Sequence, residues 1–250
     1  MLTANFFIQA RLSSTRLPCK VGLSVPGGSS CLKTLVLRLD QFLESREIDG
    51  KIYVACPLKD IHCINFLLKG TGIVAFGGDE ENVAKRFHDL AAHHSVNDFI
   101  RITGDNPFVC YDVLDFIVHT PYQSGKKCIS LYNQKLLPNG TVVSKMSIDY
   151  LQSILGEKCA IAKEHLVVTQ NERVQKLIQN PDIPENMIWP HGRFCLDNTD
   201  DYIYFSENPM IHKYNTVEQI KKYLSHREVN ESYWNRHTKN LELQYYPKND

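Results

Sequence analysis

The stretch FFIQARLSSTRLPCK, residues 6–20, decides how the rest of the chain is interpreted. Its first three residues form a short apolar run that ends in small polar residues, which predicts a buried strand leading into a loop. The loop combines three cations with three hydroxyl groups and holds no acid: Arg11, Arg16, Lys20, Ser13, Ser14 and Thr15. Such a loop can cradle a polyphosphate, or it can be an ordinary solvated basic loop. Composition alone leaves both interpretations open.

Composition sets bounds on the class of protein. The 250 residues are 43% hydrophobic, enough to bury a full core, and the formal net charge is zero. The chain therefore has no overall field that would attract nucleic acid or an anionic membrane, so any anion binding must be local. No stretch approaches the length of apolar sequence that spans a bilayer, and the N-terminus does not resemble a signal peptide.

Eight cysteines are scattered along the chain without a CxxC pair or a metal-ligand spacing. Several lie in apolar runs, such as Cys56 in IYVAC and Cys195 in RFCLD. Free thiols in a reducing compartment explain this distribution better than a disulfide framework does. We therefore expect a cytoplasmic protein.

Strand-like and helix-like segments alternate through the first half of the chain. Apolar runs predict strands at FFI, KIYVAC, IVAF and DFIRI, with helices between them. The alternation predicts an α/β fold with a mostly parallel sheet and helices on both faces. The length suits one large α/β domain or one domain with a small appendage. Ligands bind such sheets beyond the carboxyl ends of the strands. The basic loop and the turn after DFIRI should therefore face one crevice.

Several local predictions accompany this fold. The apolar stripe of the first helix is expected to hold Leu32, Leu35, Val36, Leu39, Phe42 and Leu43, with Lys33, Arg38, Asp40 and Glu44 outside it. Asp79 is expected to cap a later helix. In the second half, CISLY and RFCLD are expected as strands and residues 163–170 as a helix. The three prolines between residues 180 and 190 suit an irregular excursion or a dimer contact.

Two acids follow predicted strands and are candidate metal ligands. Asp105 lies in the turn TGDNP, and Asp197 ends RFCLD. Each has an ordinary explanation, because Asp before Asn-Pro forms turns and acids near Thr199 suit the first turn of a helix that Thr199 caps. Carboxylates from separate strand ends beside a phosphate-binding loop would instead suit Mg²⁺. The patterns GxxxxGK[ST] and GxGxxG are absent, so neither a P-loop nor a dinucleotide fingerprint is available.

The order of the motifs carries a resemblance to a known family. FFIQARLSSTRLPCK resembles the opening motif IxARxxSxRLPxK of the sugar-acid cytidylyltransferases, which include the CMP-3-deoxy-manno-octulosonate synthetases and the acylneuraminate cytidylyltransferases. The similarity is greatest to the branch of spore-coat polysaccharide cytidylyltransferases. GGDEENVAKRF, RITGDNP, Lys163-Glu164-His165 and RFCLDNTDDY resemble further motifs of that branch, in the same order. The similar segments run from residue 5 to residue 205.

The resemblance implies a single nucleotidyltransferase domain over residues 1–250, with a three-layer, Rossmann-like and glycosyltransferase-A-like α/β fold around a mostly parallel mixed sheet. A dimerisation or acceptor arm would lie within about residues 130–190. The resemblance also implies CTP as substrate, a sugar acid as acceptor and Mg²⁺ as cofactor, in a homodimer. By position, Arg11, Lys20 and Asp105 would be catalytic, Asp105 and Asp197 would bind the metal, and Glu164 and His165 would line the acceptor side. The residues implied for nucleotide binding are Ala10, Arg11, Ser14, Thr15, Arg16, Lys20, Arg86, Arg101 and Gly104.

The sequence departs from the family pattern at three positions. Cys19 stands where the family has glycine before the lysine, so the loop lacks the conformational freedom of glycine there. In the acceptor segment P-x-G-x-D-V-E, both acidic positions are lost, and they are occupied here by Val142 and Ser144. The acceptor is therefore expected to be unusual, less hydroxylated or differently charged.

Three hypotheses follow. The first is a Mg²⁺-dependent cytidylyltransferase that transfers CMP from CTP to the hydroxyl of a sugar acid of the nonulosonic or ulosonic type, for a surface polysaccharide or glycoconjugate. The second keeps the fold and replaces the acceptor with a phosphorylated or phosphonate alcohol. The third is a nucleotide-binding protein that has lost catalysis, and the presence of both Asp105 and Asp197 argues against it.

Overall fold

The computed structural model describes residues 2–132 and 136–225, and these contain seven strands and nine α-helices. The strands are β1 (Phe6–Gln9), β2 (Ile52–Pro57), β3 (Phe76–Gly78), β4 (Asp98–Thr103), β5 (Cys128–Ser130), β6 (Ser144–Ser147) and β7 (Ile178–Gln179). The helices are α1 (Cys31–Arg46), α2 (Ile61–Leu67), α3 (Val83–His94), α4 (Tyr111–His119), α5 (Ile148–Leu155), α6 (Ala160–His165), α7 (Glu172–Gln175), α8 (Thr199–Glu207) and α9 (Val217–Ser225).

The strands form one mixed sheet in the order β3-β2-β1-β4-β6-β5-β7. β1 lies between β2 and β4 and runs parallel to both, with Phe6 opposite Ile52 and Ile100. Within the described part of the chain, β6 alone runs antiparallel to its neighbours β4 and β5. This confirms the mostly parallel mixed sheet. The carboxyl ends of β1 and β4 lie side by side, so the basic loop and the turn after β4 leave the sheet at the same edge.

Apolar side chains cover both faces of the sheet and separate three layers. Phe6 and Ile8 lie in a cluster with buried residues of α1, α4 and α9. Phe7, which points to the other face because strand side chains alternate, packs with Phe87 of α3 and Tyr150 of α5. β1 is therefore buried on both faces, as its continuous apolar run predicts.

Helix α1 follows the predicted apolar stripe with one exception. Its N-cap is Ser30, whose hydroxyl accepts a hydrogen bond from the backbone N–H of Lys33. Arg38, expected outside the stripe, is buried instead. Its guanidinium donates to the carbonyls of Val109 and Tyr214, which fastens the segment before α9 to α1. A buried arginine that satisfies distant carbonyls leaves no local signal in the sequence.

Four local predictions need correction. β3 begins at Phe76 and includes Gly77, so it begins three residues later than expected. The N-cap of α3 is Asn82 and not Asp79, whose carboxylate shapes the preceding turn. RFCLD is not a strand, since Arg193 forms only an isolated bridge with Asn139. The helix expected at 163–170 is α6, which begins earlier and ends at His165.

The eight cysteines are all free thiols, as the sequence analysis expects. None of the helices within the described ranges is long and apolar enough to cross a bilayer.

Candidate active site

The basic loop is held in shape by its own backbone and by a buried acid. The N–H of Cys19 donates to the carbonyl of Leu12 at 3.0 Å, which closes the loop. The N–H of Leu12 donates to Asp60 Oδ2 at 2.9 Å, and Asp60 is buried after β2. No role for Asp60 was predicted from the sequence. Its position just beyond the carboxyl end of a parallel strand is the signal that could have found it.

Four charged side chains converge where the loop meets the turn after β4. Lys20, only 9% exposed, contacts Asp105 and lies 2.6 Å from Asp197 Oδ1. Arg16 lies 3.1 Å from the same oxygen of Asp197. The structure thus brings together four predicted residues that come from three distant parts of the sequence. We call Lys20, Asp105 and Asp197 the central cluster.

Backbone contacts explain why the two acids meet without a strand at RFCLD. The N–H of Leu196 donates to the carbonyl of Asp105 at 2.8 Å, which places Asp197 beside the turn after β4. Gly104 allows that turn to approach β1, because a Cβ there would lie 3.0 Å from the carbonyl oxygen of Gln9 and 3.3 Å from the Cβ of Ala10. Glycine at position 104 and alanine at position 10 therefore serve close packing under the cluster.

A buried ion pair supports Asp197 from behind. Arg193 and Asp201 form a bidentate pair with N–O distances of 2.6 and 2.9 Å, and both side chains are nearly inaccessible. Asp201 Oδ2 also accepts from the backbone N–H groups of Asp197 and Asn198. Asn198, not Thr199, is the N-cap of α8, and Asp201 completes the capping box. The Asp201 carboxylate therefore fixes the backbone of Asp197.

The charges of the central cluster stabilise one another. Burial alone would lower the pKa of Lys20, but Asp105 and then Asp197 outweigh burial and raise the pKa above its usual range. Burial would raise the pKa of Asp105, and Lys20 outweighs it, so the pKa of that carboxyl is lowered. Lys20 is therefore an ammonium and Asp105 a carboxylate at neutral pH.

The predicted acceptor residues lie on the other side of the loop, on α6. Arg11 Nη2 lies 2.9 Å from Glu164 Oε1, which connects the basic loop to this helix. Burial, followed by the positive charge of Arg101, lowers the pKa of the neighbouring His165. Arg101 itself lies in β4 and donates to Gln9 Oε1 at 2.9 Å. Gln9 was missed by the sequence analysis.

Arg86 is placed differently from the cations of the loop. It is 1% exposed and donates to the carbonyls of Asp79 and Glu80, at 2.8 and 2.9 Å. Its Nη1 is buried and makes no hydrogen bond within the described ranges. Arg86 therefore shapes the turn between β3 and α3, below the basic loop.

The segment that replaces the acidic acceptor motif is tied to the stretch before Asp197. Asn139 N–H donates to Gly192 O at 2.8 Å, and Phe194 N–H donates to Asn139 O at 2.6 Å. Gly140 has φ +95°, and a Cβ there would lie 2.4 Å from the backbone nitrogen of Cys195. Only glycine fits this close approach. The segment with Val142 and Ser144 is therefore fixed against the stretch before Asp197 by backbone contacts.

The central cluster offers a donor set that suits a hard divalent cation. Asp105 and Asp197 supply two carboxylates that reach the same point in space, where the Lys20 ammonium now balances them. Mg²⁺ takes few protein carboxylates and completes its shell with water and phosphate oxygens. The described ranges contain no group of three or more His, Cys, Asp or Glu side chains arranged for a metal. Metal binding here would therefore require oxygens from substrate or water.

The remaining predicted residues shape the loop. Ser14 Oγ accepts from the N–H of Leu17 at 3.4 Å, Ala10 is buried, and Thr15 is exposed. The structure thus brings Arg16, Lys20, Asp105 and Asp197 together, joins Arg11 to Glu164, and leaves Arg86 apart from them.

The fold is similar to those of solved cytidylyltransferases. A cytidylyltransferase from Leptospira borgpetersenii serovar Hardjo-bovis superposes with a TM-score of 0.74 at 22% identity, over 93% of this chain and 96% of that one. A CMP:2-keto-3-deoxy-manno-octonic acid synthetase complexed with CTP superposes with a TM-score of 0.52 at 14% identity, over 84% of this chain and 98% of that one. At these identities the likeness concerns the fold.

Sequence similarity fixes the family. The family described as Cytidylyltransferase matches residues 6–245, so the chain belongs to the cytidylyltransferase family and is a CTP-dependent nucleotidyltransferase. The chain is similar to the spore coat polysaccharide biosynthesis protein SpsF of Bacillus subtilis (strain 168), with 30% identity over 207 residues, 79% of this chain and 82% of that protein. It is also 33% identical over 108 residues to the uncharacterized protein MJ1063 of Methanocaldococcus jannaschii, which covers 43% of each chain.

Proposed function

We propose that this enzyme transfers CMP from CTP to the hydroxyl of a sugar acid of the nonulosonic or ulosonic type, with release of pyrophosphate, and that the product feeds surface polysaccharide or glycoconjugate synthesis. The observation that carries the proposal is the convergence of Lys20, Asp105 and Asp197 below the basic loop. Similarity to a spore coat polysaccharide biosynthesis protein supports the biosynthetic role.

The residues divide the work of the reaction. The acceptor hydroxyl attacks the α-phosphorus in line, the bond to the bridging oxygen breaks, and pyrophosphate leaves. Arg11, Arg16 and Lys20 hold the triphosphate, and Lys20 and Arg11 stabilise the charge that develops on the leaving group. Because phosphoryl transfer needs positioning and charge neutralisation more than covalent help, no protein nucleophile is required.

Asp105 and Asp197 would hold Mg²⁺, which when bound withdraws charge from the phosphate oxygens. Lys20 then has a second use. While no nucleotide is bound its ammonium keeps the two carboxylates together, and it is close enough to turn toward the phosphates when another cation balances the acids.

The acceptor could differ from a sugar acid. Val142 and Ser144 occupy positions where the resembling family has acids, and this favours a phosphorylated or phosphonate alcohol as the second candidate acceptor. We further propose that the chain is a single domain, that it forms a homodimer through an arm within about residues 130–190, and that it acts in the cytoplasm. The eight free thiols support the reducing compartment.

The test is a pyrophosphate-release assay with each of the four NTPs, Mg²⁺ and a panel of acceptors. Turnover with CTP and a 2-keto-3-deoxy sugar acid supports the leading proposal. Turnover with phosphorylated alcohols alone supports the second candidate. Binding of CTP without turnover on any member of either acceptor class would contradict both.

A further inference from the structure

We propose that Arg101 binds an anionic group of the acceptor, so that the enzyme selects acceptors with a carboxylate or a phosphate near the attacking hydroxyl. The family resemblance implies a nucleotide-binding role for this residue, and the surroundings of its side chain favour the acceptor instead. The inference rests on the proposed function, because it takes the α6 side of the site as the acceptor side.

Arg101 shares a row of its sheet face with two serines on one side and with Phe7 of β1 on the other. In the antiparallel pairing of β4 with β6, Arg101 lies opposite Ser144, and Ser144 lies opposite Ser130 of β5. Directly opposed residues share a face, so the three side chains form one row. The next row inward is apolar, with Phe99 opposite Met146 and Met146 opposite Cys128. Ser144, Ser130 and Phe7 are all buried, and Arg101 is the member of this row that keeps partial exposure.

The positive charge of Arg101 has no acid bound to it. Within residues 2–132 and 136–225, its one hydrogen bond runs from Nη2 to the neutral Gln9 Oε1, and it makes no ion pair. Its Nε is buried without a hydrogen-bond partner, while the side chain as a whole keeps partial exposure. A buried guanidinium donor without a partner is costly, and an anionic ligand is the species that would satisfy it.

The acids nearest to Arg101 are committed elsewhere. Glu164 and Asp105 both attract Arg101 electrostatically, but Glu164 is paired with Arg11 and Asp105 with Lys20. Among the other ionisable groups nearby, His165 has its pKa lowered by burial and then by Arg101 itself. An anion beside Arg101 would therefore meet an uncompensated cation between the central cluster and α6.

The residues that flank Arg101 in the sheet, Phe7 of β1 and Ser144 of β6, are both uncharged. An acid at position 144 would stand directly across the sheet from Arg101 and neutralise it. Serine at 144 therefore leaves the charge of the guanidinium available to an anionic ligand.

The test is calorimetric titration with named probes: CTP, 3-deoxy-manno-octulosonate, mannose 6-phosphate and the neutral sugar mannose. We expect the wild type to bind a charged sugar and not mannose, and the two charged probes distinguish carboxylate from phosphate. Arg101→Gln should weaken binding of the charged sugar by about tenfold or more, the loss expected for a hydrogen bond to a charged group, and should change CTP affinity less than about twofold. Ser144→Glu should have the same effect.

Two features keep the test decisive. Arg46→Gln is the matched control, since Arg46 forms an exposed ion pair with Asp115 outside the site, and it should change neither affinity. Retained CTP binding shows that each variant is folded. The inference is overturned if neither charged sugar binds the wild type, if mannose binds as well, or if Arg101→Gln weakens CTP binding equally. Arg101-dependent anion binding without turnover would contradict the proposed function alone.

Discussion

The Lys20 ammonium lies 2.6 Å from Asp197 Oδ1, although 177 positions separate the two residues in the sequence, and it also contacts Asp105. One buried cation thus joins the loop after β1, the turn after β4 and the segment before α8. The contact is structural and, in the proposed function, also catalytic, and substitutions at its two ends separate the two roles.

Lys20→Met should lower both activity and stability. It leaves Asp105 and Asp197 facing each other without their shared cation, and breaking a buried pair of this kind costs roughly 3 kcal/mol or more. Asp105→Asn should also abolish turnover but should change the free energy of unfolding by only about 1 kcal/mol, because Lys20 still forms its ion pair with Asp197. Urea unfolding of the two variants beside the wild type measures the difference, and equal destabilisation would refute the sharing of Lys20.

His165 should titrate below the ordinary histidine value of about 6.5. Burial and then Arg101 lower its pKa in the folded state, so between the two pKa values the unfolded chain binds more protons. Stability due to His165 is therefore present above about pH 6.5 and is lost as the pH falls through the folded pKa. NMR titration of the imidazole should show the low pKa in the wild type and a higher one in Arg101→Gln. An unchanged pKa in that variant would show that Arg101 does not lower the pKa of His165.

Cys19→Gly should stabilise the protein and preserve activity. Cys19 has φ 56° and ψ 22°, in the left-handed region that costs a residue with a Cβ about 1 kcal/mol. Glycine removes that cost but loses more entropy on folding, so we expect a net gain of roughly 0.5 kcal/mol. Cys19→Ala, which retains a Cβ, is the matched control and should bring no gain. Thermal unfolding of both variants provides the measurement, and destabilisation by glycine would show that position 19 is not strained.

Replacing only Arg193 or only Asp201 should destabilise the protein strongly, and replacing both should cost less than the two single losses added together. Arg193→Met leaves a buried carboxylate unpaired and should cost roughly 3–5 kcal/mol. Arg193→Met combined with Asp201→Leu removes both charges, so its loss should be smaller than the sum of the two single losses. A double-mutant cycle from denaturant unfolding measures this coupling. Additive losses would mean that the two side chains act independently.

The sequence predicts much of the sheet because the strands next to the site leave strong local patterns. The apolar runs at Phe6–Ile8 and DFIRI become β1 and β4. The predictions that needed correction depend on distant partners. Arg38 is buried because its guanidinium donates to the carbonyls of Val109 and Tyr214, and neither residue is near Arg38 in the sequence.

The sequence indicated which residues of the candidate site would lie together better than it indicated how they are arranged. Motif order drew attention to Lys20, Asp105 and Asp197, and the structure brings all three together. RFCLD was expected to be a strand that positions Asp197. Asp197 is instead positioned by the hydrogen bond from the N–H of Leu196 to the carbonyl of Asp105. The role of Arg101 depends on which acids have other partners, and no local pattern encodes that.

The central claim is that Lys20, Asp105 and Asp197 form the catalytic centre of CTP-dependent transfer. The most direct measurement is the rate of pyrophosphate release from CTP, with Mg²⁺ and the acceptor identified by the panel, in Asp105→Asn and Asp197→Asn. Asp115→Asn, in an exposed ion pair with Arg46, is the matched control. We predict that both site variants lose about a hundredfold or more in rate while remaining folded, and that the control keeps the wild-type rate. Wild-type rates in folded Asp105→Asn and Asp197→Asn would contradict the assignment.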